Sequence, residues 1–332
     1  MTALLLRIIL TTSPAGTEAD VQALARYDAV AFSYRAPAAQ RAAIRALRLD
    51  QVQLCFVGSM NLSQTWGTGY WEAAARETCE ARAWWVVDLA GDRVIPWDGE
   101  WAIDLTEPAC REWYARTLVD QVLTAYGFDG LILDQVHRGI SHMAPAGLPF
   151  TDETWAAAVT DMVISLRSLA GIETILIANG SLLPSQAPDL DAAMLEGYGW
   201  MPPLRDDWAG WAVRYDALAA VVRRPEWMIV TSATEATFRQ VYSTALSRGC
   251  FFATAPWSGT AWREEYESSD WWPVKHFVFG VAPGTYCVTQ GDLSLGRASD
   301  AGGVLTFTAP AAFPISVVAC AAGMRPSVAI LE

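Results

Sequence analysis

The stretch Phe128-Asp129-Gly130-Leu131-Ile132-Leu133-Asp134 decides the fold. Its apolar centre does not alternate with polar residues, which suits a strand covered on both faces, as in a parallel sheet flanked by helices. Asp134 stands at the carboxyl end of that strand. Working outward, comparable runs occupy residues 4–10, 29–34 and 52–57 before it, and 174–178, 192–196, 227–231 and 250–254 after it. Helical segments fall between them at 18–26, 37–47, 72–82, 152–169 and 235–248. A further helix opens at Thr106-Glu107-Pro108, with Thr106 as a natural N-cap, and runs to Tyr126. Eight strands in strand–helix order without a second core predict one (β/α)₈ barrel; an open doubly wound sheet is the rival arrangement.

Two regions depart from that rhythm. Residues 85–89 and 93–97 flank Ala90-Gly91-Asp92, which predicts a hairpin, and 101–105 reads as another short strand. From about residue 277, glycines 284, 291, 296, 302 and 303 punctuate short β-like runs at 304–308 and 315–319. The expected organisation is a barrel over residues 1–275 and a small β-rich appendage over 276–332.

Composition narrows the function. Of 332 residues 52% are hydrophobic and 18% charged, which excludes general disorder. A formal net charge of −13 argues against nucleic acid and anionic membranes, since phosphate binding needs a basic surface. The run at 4–10 carries Arg7 in its middle and is too short to span a bilayer, so it reads as a first strand rather than a signal peptide. The expected protein is soluble, either cytoplasmic or exported with its leader removed. Six scattered cysteines and three histidines make no metal spacing, so neither metal nor cofactor is expected, and Cys55 and Cys250 read as buried free thiols. Dinucleotide, phosphate-loop, serine-hydrolase and zinc-protease signatures are missing.

In a barrel, polar residues at the carboxyl ends of strands line the mouth where substrates bind. Asp134 and Glu196 both end apolar runs, on the fourth and sixth strands, with Asn179 ending the fifth. Two carboxylates sharing one cleft can have their pKa values driven apart, leaving one proton donor and one ionised base or nucleophile. The ordinary alternative for each carboxylate is a helix cap or an arginine partner; Asn179 is a candidate to bind substrate by hydrogen-bonding a sugar hydroxyl, with an Asn-Gly turn as its ordinary alternative. Tyr198 and Trp200 follow Glu196, Trp257 follows the eighth strand and Trp66 the third; each is a candidate for stacking on a sugar, although core packing is the usual role of a single aromatic. Asp104 is a candidate substrate ligand or helix cap. His137, three residues after Asp134, is a candidate to orient a substrate or a carboxylate.

The residues Ile103-Asp104-Leu105-Thr106-Glu107-Pro108, followed by a helix and Gly127 through Asp134, resemble a feature of glycosyl-hydrolase barrels near the endo-α-1,4-polygalactosaminidase family. Ile177-Ala178-Asn179-Gly180 and Met194-Leu195-Glu196-Gly197-Tyr198 match the later Asn-ended and Glu-ended strands of that pattern. The resemblance implies Asp134 and Glu196 as the catalytic pair, without saying which is the acid. One departure is Gln135-Val136-His137, where the relatives carry an Asn or an aromatic after the Asp. The expected activity is hydrolysis of a polysaccharide, with amino-sugar polymers among the candidates. A carbohydrate-binding barrel without catalysis, or a structural barrel in a larger assembly, is the alternative.

Overall fold

The computed structural model describes residues 8–11, 17–64, 70–97, 99–196, 208–232 and 250–254, together with six strand segments between 274 and 330. In chain order, β1 (Ile8–Thr11), α1 (Glu18–Leu24), β2 (Ala29–Ser33), α2 (Ala38–Leu47) and β3 (Val52–Gly58) open the fold. A short excursion follows: β4 (Asn61–Ser63), α3 (Trp71–Arg82) and β5 (Glu100–Ala102). Then come α4 (Pro108–Thr117), β6 (Gly130–Asp134), α5 (Asp152–Ala170), β7 (Ile175–Asn179), β8 (Ala192–Leu195), α6 (Trp208–Ala219), β9 (Ile229–Ser232) and β10 (Phe251–Thr254). A π-helical turn (Leu118–Thr124) carries α4 onward to Tyr126.

Eight strands form one sheet in the order β1-β2-β3-β6-β7-β8-β9-β10, and every neighbouring pair is parallel. The order follows the chain without reversal, and β10 comes back alongside β1. That is a (β/α)₈ barrel; a doubly wound sheet would reverse its strand order about a central switch point. The expected helix at 235–248 lies outside the described residues.

Burial explains the uninterrupted apolar strands. Every residue of β7 and β8 is buried, because the barrel interior covers one face and helices the other. Trp155 of α5, Tyr114 of α4 and Trp211 of α6 are fully buried and fill the layer between helices and sheet. Cys55, Cys79, Cys110 and Cys250 are buried, and none of them forms a disulfide among the described residues. At Gly130 the packing leaves no room for a side chain: a Cβ there would overlap the Ile175 carbonyl on β7. Gly130→Ala is therefore expected to cost roughly 2–3 kcal/mol, read as a lowered thermal midpoint.

Three local expectations need correction. Glu107, not Thr106, caps α4, accepting from the Ala109 N–H; Thr106 instead donates through its N–H and hydroxyl to Asp104 Oδ1 at 2.9 and 2.5 Å. That turn also stops the short strand early, so β5 is Glu100–Ala102 and pairs antiparallel with β4, a partner the sequence reading did not anticipate. The hairpin about Gly91 is a tight turn closed by the single Val87–Arg93 bridge rather than two full strands.

From Val274 onward the described strands are antiparallel: β11 (Val274–Gly280), β12 (Gly284–Gln290), β13 (Leu293–Asp300), β14 (Val304–Pro310), β15 (Ile315–Ala319) and β16 (Ser327–Ile330). They form two three-stranded sheets, ordered β14-β11-β16 and β13-β12-β15, and make up the C-terminal β appendage. Among the described residues no helix is long and apolar enough to cross a membrane.

Candidate active site

Parallel strands all present their carboxyl ends on one rim, so the last residues of β6 and β7 and the first after β8 meet there. Asp134 ends β6, Asn179 ends β7 and Glu196 follows β8 directly. The Asn179 side chain, only 4% exposed, joins them: its Nδ2 donates to Asp134 Oδ1 at 2.9 Å and to Glu196 Oε2 at 3.0 Å. Asp134 Oδ1 also accepts the Gln135 N–H at 2.9 Å. Asp134 and Glu196 thus share one amide donor, and no arginine holds either among the described residues.

Burial sets the electrostatics. It raises Asp134 to about 6, against the lowering pull of the Gln135 N–H and the Asn179 amide. It raises Glu196 to about 7, with the Asn179 bond lowering it and the Asp134 charge raising it further. Asp134 thus stays below Glu196, in the order of the two carboxyls' ordinary values, and the Asp134 charge adds to the rise at Glu196.

A third carboxylate belongs to this rim, and nothing in the local sequence around Glu100 signals it. Glu100 Oε2 accepts from Gln135 Nε2 at 3.1 Å and from the Asn61 amide. Burial lifts it to about 6, with Asp134 adding to the rise. Only the β4–β5 pairing brings Asn61 and Glu100 together, and only the left-handed backbone of Gln135, with φ of 59°, connects them to Asp134. That conformation is uncommon for a residue with a side chain and marks local strain beside the site. It aims the Gln135 N–H at Asp134 while its side chain reaches Glu100.

Asn179 binds the two carboxylates, and Gly180, at φ of 138°, lets the chain press against the Val136 backbone, where a Cβ would collide. His137 stays on the rim without touching a carboxylate: its Nδ1 lies 3.1 Å from Ser181 Oγ and its ring stands edge-on to His142 at 6.4 Å. Burial, then His142 and Arg214, push His137 down to about 4, so it is neutral near pH 7. Asp104 lies apart from this network, its carboxylate engaged by Thr106. Trp66, Tyr198, Trp200 and Trp257 lie outside the described residues. Among the described residues, no three His, Cys, Asp or Glu side chains gather as metal ligands would.

A barrel with carboxylates collected at its carboxyl-terminal rim is the architecture of glycoside hydrolases, and this chain is of that class. It belongs to the family described as hypothetical glycosyl hydrolase family 15, whose profile matches residues 60–300. No curated protein matches the sequence. Among solved structures, a maltogenic α-amylase from Thermotoga neapolitana superposes with a TM-score of 0.57 at 9% identity, covering 96% of this chain and 99% of the other. An α-amylase from Lactobacillus plantarum gives 0.54 at 11% identity, over 95% and 98% of the two chains. A GH31-family sulfoquinovosidase from E. rectale gives 0.59 at 10% identity over 95% of this chain, which spans 62% of that enzyme. At such identities the likeness is one of fold. The family match supports the glycosyl-hydrolase part of the sequence resemblance and not the polygalactosaminidase family in particular.

Proposed function

We propose that this protein hydrolyses a polysaccharide with retention of anomeric configuration, Asp134 acting as nucleophile and Glu196 as general acid and then base. One observation carries the reading: a single Asn179 amide nitrogen donates to both carboxylates. Two oxygens each about 3 Å from one nitrogen are no more than about 6 Å apart, a closeness that suits the roughly 5–5.5 Å spacing of retaining pairs. The division of roles follows from the proton affinities. Glu196, the higher of the two, keeps its proton to donate to the leaving oxygen, while Asp134, held by two N–H donors, ionises first. After the sugar transfers to the Asp134 carboxylate, the ionised Glu196 takes a proton from water, which attacks the anomeric carbon and releases Asp134. On this reading residues 1–275 are the catalytic unit and 276–332 a β-rich accessory one. The amino-sugar polymer implied by the strand motifs is one member of the substrate panel; the motifs are its only support.

The pH profile follows from the same pair. The competent form has Asp134 ionised and Glu196 protonated, so kcat/KM is expected to rise toward pH 6 and fall above pH 7. The two limbs belong to the coupled pair rather than to either residue alone. The deciding experiment is a polysaccharide panel followed by NMR of the first product anomers. Retention supports the assignment and inversion contradicts it. Binding without cleavage of any glycan would make the protein a carbohydrate-binding barrel.

A further inference from the structure

The chain is acidic overall, with 23 Lys and Arg against 36 Asp and Glu, yet the loop after β6 and helix α6 bring basic residues to the segment that follows Asn179. Arg214 of α6 donates to the carbonyl of Gly180, the residue next to Asn179. Ser181, one position further, approaches His137 Nδ1 at 3.1 Å and accepts the Arg138 N–H at 3.4 Å. The charge of Arg138 bears on Arg214, and those of Arg214 and His142 bear on His137, so the four basic groups form one neighbourhood. Arg214 is largely withdrawn from water, and burial lowers its proton affinity. Its only protein partner among the described residues is the Gly180 carbonyl, and no carboxylate pairs with it. Arg167 shows the contrast: deep in the same barrel, it has the Asp191 carboxylate and three carbonyls.

No Arg214 nitrogen is both buried and without a partner, so its remaining donors stay open to solvent and to an incoming anion. Asp134 and Glu196 do not take them, since their described bonds are to Asn179 and Gln135. We propose that Arg214 and Arg138, with neutral His137 as a hydrogen-bonding partner, form a subsite for an acidic sugar, carrying a carboxylate or a sulfate ester, next to the bond that is cut. The proposal rests on the hydrolase reading for the position of that bond. A planar guanidinium fork matches both oxyanions, and it offsets the repulsion that ionised Asp134 would exert on an acidic substrate. It also disfavours a cationic galactosamine polymer at the same place.

The test uses the full chain carrying Glu196→Gln, which is expected to bind glycan without turnover. Calorimetry compares oligogalacturonate with its methyl ester, a sulfated galacto-oligosaccharide with its desulfated form, and oligogalactosamine. The acidic member of at least one pair is expected to bind about tenfold tighter than its neutral counterpart, the size of one charge-assisted contact. Whichever pair shows the gap names the oxyanion. Adding Arg214→Gln should close that gap; Arg138→Gln, on an exposed side chain that folding does not need, should narrow it severalfold. Equal binding of acidic and neutral forms, or tightest binding of oligogalactosamine, overturns the subsite. The two readings fail separately: a parent enzyme that cleaves neutral glycans without any acidic preference keeps the hydrolase and loses the subsite. Acid-selective binding by a chain that cleaves nothing keeps the anion site and loses the hydrolase.

Discussion

Glu196→Gln and Asp134→Asn are each expected to lower glycan hydrolysis by about 10³-fold or more, because each removes a covalent or proton-transfer step rather than a binding contact. Neither should unfold the protein. An amide at position 134 keeps an oxygen to accept the Gln135 and Asn179 donors, and an amide at 196 keeps one for Asn179. Stability should in fact increase near neutral pH. Burial raises both carboxyls, so the folded chain holds their protons over a range where the unfolded chain has released them. Folded-state stability from these groups is complete below about pH 4 and is lost as pH rises through about 6 for Asp134 and about 7 for Glu196. Removing the charge should therefore add stability on the order of 2 kcal/mol per site above pH 7, seen as a higher thermal midpoint, and change little at pH 4. Thermal unfolding of parent and variants at both pH values reads this directly. A variant that is less stable than the parent at pH 8 would mean the carboxylates support the fold, which is the opposite of a site strained for catalysis.

Arg167→Met is expected to destabilise the protein by about 3 kcal/mol or more while leaving the rate per folded molecule unchanged. Asp191, at 0% exposure, stands just before β8, at the end of the barrel away from the mouth. Its Oδ2 accepts from Arg167 at 2.5 Å and from the Leu176 N–H at 2.8 Å, while Arg223 and Arg224 reach Oδ1 from the edge at 3.2 Å. Arg167 also donates to the carbonyls of Asp189, Gly171 and Thr174. Methionine fills a similar volume but leaves a buried carboxylate with only its peripheral partners and three carbonyls short of a donor. Urea unfolding measures the loss, and kcat/KM corrected for the folded fraction measures the second half. A proportional fall in that corrected rate would show that the lower end of the barrel is coupled to the mouth.

Much of this arrangement is legible in the order of residues alone. Unbroken apolar runs such as Leu131-Ile132-Leu133 have one stable setting, a strand covered on both faces, and helices between them force the strands parallel. Parallel strands share a direction, so any polar residue closing such a run must reach the same rim, which places Asp134, Asn179 and Glu196 together before any distance is known. Local chemistry misled where two turn-formers competed: Thr106 could cap α4 or serve Asp104, and the choice depends on how β5 ends.

The tertiary structure alone decided the rest, because it depends on contacts between residues far apart in the chain. Glu100 enters the site through β4, and Arg214 through a helix that returns to Gly180. The shared Asn179 amide, which limits how far apart the two carboxylates lie, exists only once three neighbouring strands are in register. Periodicity can assign a residue to a rim. Desolvation and hydrogen bonding, which turn a carboxylate into an acid or a nucleophile, arise only from the packing around it.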